Sequence, residues 1–133
     1  MGSERRRDIE LIIAEKEKLA TRAKQIAPLI PDVMGEPSAE AKAEIEAGLI
    51  DICNHLGILA GFADKSGQAQ IARITDTLRI SMLDQPGTYL HIVKPILLNI
   101  VGIQIDFNRP PPFKVRGIDV SLFEGKIKAL FKR

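Results

Sequence analysis

YLHIVKPILLNIVGIQIDF, residues 89–107, is the most apolar run of this 133-residue chain, and it is interrupted by Lys94, Pro95, Asn99 and Gly102. A bilayer-spanning helix wants roughly 20 mostly apolar residues, and a lysine near its middle is costly. The run therefore reads as part of a protein core. Pro95 decides its shape. Inside a helix, proline removes a hydrogen bond and clashes with the preceding turn, costing roughly 3 kcal/mol, whereas the first helical position accepts it. The spacing predicts a new or kinked helix from Pro95 to about Val101, ended by Gly102. Tyr89–Val93 fits either a short helix or an extended lead-in.

Beyond Gly102 the apolar period falls from a helical one to two. Ile103, Ile105 and Phe107 alternate with Gln104 and Asp106, and Phe113 and Val115 alternate with Lys114 and Arg116. Folding one run back on the other sets Phe107 by Phe113, Asp106 by Lys114, Ile105 by Val115 and Gln104 by Arg116. Like then meets like on the apolar face and opposite charges meet on the other. A short β-hairpin, about 103–107 with 113–117, is one reading. Pro110–Pro112 favour an extended polyproline path over a tight reversal, so a straightened loop is the other.

On the N-terminal side, three stretches repeat at helical spacing. Ile9, Ile12, Leu19, Ala23, Ile26 and Ile30 mark a helix over about 5–30, with Lys16 in one slot of the stripe. The Glu-Lys alternation at 15–18 predicts a solvated outer face. Pro28, Pro31, Gly35 and Pro37 end this helix in a proline-containing loop over 31–37. Ser38 caps a second helix running to about Ala63, whose broad apolar face includes Ile45, Leu49, Ile52, Cys53, Leu56 and Leu59. Ile50, Ile58 and Phe62 fall outside that face, which suggests a helix apolar on two sides. Gly48, Gly57 and Gly61 each lower helix propensity by about 1 kcal/mol, and close approach of another helix is the expected compensation. Ser66 is available to cap a third helix over about 68–83, with Ile71, Ile74, Leu78 and Met82 on its stripe. Gln85-Pro86-Gly87 ends it. Near the C-terminus, Ser121-Leu122-Phe123-Glu124 matches a capping box, opening a helix over about 122–132.

These readings give a mainly α fold: one helical domain over 1–133, a compact bundle of four to five helices with the hairpin at its end. The Pro95 segment is expected in the middle with the second helix packed on it. Residues 1–3 read as a cloning remnant, and 108–112 as a second proline-containing loop.

Little in the chain points to chemistry. The single Cys53 excludes an intrachain disulfide and a multi-cysteine zinc site, and fits a reducing cytoplasm. Glycine spacing matches neither a phosphate loop nor a nucleophile elbow. Asp51 and His55 stand one turn apart and could form an acid–base pair, but a surface or interface ion pair is the default. No catalytic residue, cofactor or metal site is expected. Aromatic residues make up 5% of the chain with no Trp, which argues against base stacking.

Charge is uneven. Residues 31–64 carry seven acidic and one basic side chain, and residues 107–133 carry seven basic and two acidic. The function expected is a non-catalytic helical interaction or assembly module, self-associating as a homo-oligomer or acting as an adaptor for a protein partner. It could equally be a domain of a larger signalling or regulatory protein. Leu11, Ile58 and Phe62 are its candidate contact residues. The alternative is a nucleic-acid-binding accessory protein using Arg5, Arg6, Arg7, Arg116, Lys126, Lys128 and Lys132 as anion-binding residues, if the two chain ends meet. A membrane-surface role is weaker, because an amphipathic terminal helix describes any helix docked on a core.

Overall fold

In the computed structural model, residues 2–83, 90–119 and 121 are described. Their order is α1 (Gly2–Ile26), a 3-10 turn (Ala27–Leu29), α2 (Ala39–Ala60), α3 (Lys65–Leu83), a 3-10 turn (Leu90–Ile92), α4 (Val93–Ile100), β1 (Gln104–Asp106) and β2 (Lys114–Arg116). The fold is mainly α. Tyr89, Gln85-Pro86-Gly87, the terminal helix expected over 122–132, and with it Lys126, Lys128 and Lys132, lie outside the described residues.

Pro95 occupies the third position of α4, not the first. The amides of a first helical turn have no intrahelical acceptor, so proline costs no hydrogen bond there. The 3-10 turn before it settles the open reading of 90–92 in favour of helix. Pro28 likewise sits inside a 3-10 turn, so the regular part of α1 stops at Ile26, short of the expected Ile30. α3 begins at Lys65 because Asp64, not Ser66, caps it: Asp64 Oδ1 accepts from the Gly67 amide at 2.8 Å. Ser38 caps α2 as expected, accepting from the Ala41 amide at 3.1 Å.

α1 packs on α2 and α2 on α3, while α4 closes the bundle against α1 and α3. α2 and the Pro95 helix share one core, but the Pro95 helix meets α1 and α3 more closely than α2. The stripes of all four helices join Phe113 and Val115 in one buried cluster.

The hairpin forms with the register read from the sequence, Gln104 opposite Arg116, Ile105 opposite Val115 and Asp106 opposite Lys114. The strands are shorter than 103–107 and 113–117, but Phe107 and Phe113 still meet edge to face with centroids 5.1 Å apart. The Pro111–Pro112 peptide is cis. Phe113 anchors the hairpin to the bundle. Its amide donates to Phe62 O and its carbonyl accepts from the Asp64 amide, both at 2.8 Å. Its side chain is fully buried.

The polar interruptions of 89–107 act as staples. Lys94 Nζ reaches Asp32 Oδ1 at 2.7 Å, tying α4 to the loop after α1. Asn99 donates to Gly117 O and accepts from the Asp119 amide, holding the chain as it leaves β2. Gly117 has φ +86°, and a Cβ there would lie 2.6 Å from Gly102 O, so glycine is required on both counts.

Candidate functional site

Three contacts set the pairing of α1 with α2. Ile26 lies against Gly48, Arg22 Nε donates to Asp51 Oδ2 at 3.0 Å, and Glu15 meets His55 Nδ1 at 2.5 Å. Residue numbers fall along α1 as they rise along α2, so the helices are antiparallel. Their outer seam holds an open groove of about 400 Å³ lined by Ala14, Glu17, Lys18, Thr21, Arg22, Gln25 and His55.

The expected Asp51–His55 pair does not form. Asp51 is drawn across the seam to Arg22, and His55 takes Glu15 from the opposite helix. Glu15 also corrects the expectation of a solvated face over 15–18, being 5% exposed. Its carboxylate is held by the His55 ring and by Lys18 Nζ at 3.6 Å, which offsets the cost of burying a charge. Glu15 lies four residues before Leu19 and three after Ile12, beside the apolar stripe, and that position was the available sequence signal.

A carboxylate on Nδ1 orients an imidazole and fixes the proton on that nitrogen. Nε2 is left with no partner among the described residues, and it is not a sealed, buried atom. His55, held in this orientation, lines the groove together with Lys18, Arg22 and Glu17.

Of the contact residues expected from sequence, Leu11 and Ile58 are 44% and 40% exposed. Phe62 is partly buried against the core. In the antiparallel pairing, Leu11 lies one turn before Glu15, and Ile58 and Phe62 follow His55 at three- and seven-residue steps. Helical periodicity sets Leu11 and Ile58 on the groove side of their helices, whereas Phe62 lies in the turn after α2 and packs against the core. The glycine reading holds at one position of three. A Cβ on Gly48 would lie 2.5 Å from Ile26 Cγ2, whereas at Gly57 nothing lies within 4 Å and at Gly61 the nearest atom is Ile58 O of its own turn.

Among the expected anion-binding residues, Arg5 is exposed and donates through Nη2 to the carbonyls of Phe107 and Arg109. The start of α1 therefore meets the hairpin. Arg6 and Arg7 are exposed nearby in sequence. Arg116 leans on Asp106 at 3.7 Å. Arg109 and Lys114 line a cleft of about 550 Å³ with Asp64, Ser66, Asp106, Pro110 and Pro112.

Cys53 is buried, and burial pushes its thiol above the ordinary value of 9.0, partly offset by the positive charge of Arg79. Among the described residues no three His, Cys, Asp or Glu side chains converge to hold a metal. No described helix is long and apolar enough to cross a membrane. In comparisons with protein families, curated proteins and solved structures, the chain matches none.

Proposed function

We propose that the chain is a non-catalytic helical interaction or assembly module, working in the cytoplasm and using the outer α1/α2 face to self-associate or to dock a protein partner. The observation that carries this reading is the exposure of Leu11 and Ile58 on the groove side of two paired helices. Each is less than half exposed and so forfeits about 0.6–1.3 kcal/mol of burial that a partner surface would recover, and exposed apolar side chains that group mark contact surfaces. Light scattering behind size-exclusion chromatography tests it. The wild type is expected to run as a dimer or larger, or to co-elute with a protein partner, and Leu11→Glu/Ile58→Glu to run as a monomer. A wild-type monomer without a partner overturns the reading.

A second reading is favoured by the contact of Arg5 with the hairpin, which brings the basic start of α1 towards Arg109, Lys114 and Arg116. This corner would serve nucleic-acid phosphates. Its binding would fall steeply with salt and be lost when Arg109, Lys114 and Arg116 are replaced by Glu.

A further inference from the structure

We propose that His55 is a phosphoryl acceptor: its Nε2 takes a phosphoryl group from an acyl-phosphate donor while Glu15 positions the ring. Three observations converge. Glu15 holds Nδ1 at 2.5 Å from within the protein, its side chain 6% exposed. Nε2 has no hydrogen-bond partner among the described residues, and His55 lines the groove with its side chain 23% exposed. Lys18 and Arg22 line the same groove, each shared with a carboxylate, Glu15 at 3.6 Å and Asp51 at 3.0 Å.

The ring carries the chemistry, and the groove is no standing anion trap. Glu15, Glu17 and Asp51 together outweigh Lys18 and Arg22 while the imidazole is neutral. The carboxylate fixes the Nδ1–H tautomer, so the lone pair stands on Nε2. In the transfer, the Nε2 lone pair attacks phosphorus and the P–O bond to the acyl group breaks, the carboxylate leaving with that electron pair. The proton stays on Nδ1. The ring becomes positive, and the Glu15 carboxylate stabilises that charge in the buried seam. Lys18 and Arg22 supply cations for the phosphoryl oxygens, the role basic side chains commonly take on a transferring phosphoryl group. The product is a phosphoryl mark in the middle of the α1/α2 face. It does not depend on that face binding a partner.

The test uses the full chain and acetyl phosphate, followed by phosphorus NMR and site mapping by mass spectrometry. The expected result is one phosphoryl group per chain, on His55 Nε2, forming at least about tenfold faster than at His91. Glu15→Gln is expected to slow the reaction about tenfold, in line with loss of a carboxylate partner of histidine, and to let the Nδ1 isomer appear. That change of nitrogen is a readout that a merely structural role would not move. Lys18→Ala/Arg22→Ala is expected to slow labelling without changing the nitrogen. Labelling that favours His91, or is equal at both histidines, overturns the proposal. So does a folded Glu15→Gln protein with unchanged rate and unchanged nitrogen. The site map on the wild type needs no variant, so it decides the matter even if Glu15→Gln fails to fold.

Discussion

Gly48 and Gly57 occupy the same helix and carry the same propensity cost, yet their surroundings differ. A Cβ on Gly57 meets nothing within 4 Å, so Gly57→Ala is expected to stabilise the protein by about 0.5–1 kcal/mol. At Gly48 the new methyl would press into Ile26, a buried β-branched side chain with little room to turn. Gly48→Ala is expected to destabilise by about 1–3 kcal/mol, and urea midpoints of the two variants check both signs. Cys53 gives a pH prediction. Its folded-state pKa is raised by burial, so the folded protein holds the thiol proton more tightly than the unfolded chain does. That contribution is present below the ordinary value of 9.0 and is lost as pH rises through the raised one. Between pH 8 and pH 11, wild type is expected to lose more stability than Cys53→Ala in parallel urea titrations.

The hairpin is too short to stand alone, since two strands of three residues are marginal at best in water. What holds it is Phe113, which lends its backbone to the α2–α3 turn and its ring to the core. Phe113→Ala is expected to cost about 3–5 kcal/mol and to remove hydrogen-exchange protection at Ile105 and Val115 before it is lost in α2. The first turn of α3 depends on the same region. A Cβ on Gly67 would sit 2.6 Å from Val115 Cγ2, so β2 and α3 approach through that glycine.

Across the whole molecule, all four helices and the hairpin share one buried cluster. Domains of this size with a single core usually unfold in one step. Thermal unfolding followed by circular dichroism and by calorimetry is expected to give coincident transitions, and Leu11→Glu/Ile58→Glu to leave the monomer's unfolding free energy within about 0.5 kcal/mol. Both side chains are already half open to solvent, so any larger loss on dilution of the wild type would belong to assembly.

Local chemistry determined much by itself. The periodicities of Ile12, Leu19, Ala23 and Ile26, and of Ile45 through Leu59, fixed which faces are buried. Ser38 set the start of α2, Gly102 the end of the apolar helix, and alternation about Asn108–Pro112 the hairpin register. These follow from backbone geometry and side-chain period, which act over a few residues. Tertiary structure decided what depends on neighbours distant in sequence. Asp51 turned from His55 to Arg22, and Glu15, which the sequence set in a solvated stretch, became the buried partner of His55. A charge on a helix flank can face water or a second helix with the same local pattern. Only the antiparallel pairing of α1 and α2 brings residues 15 and 55 within 2.5 Å, because the choice rests on which carboxylate the packed helices place in reach of the ring.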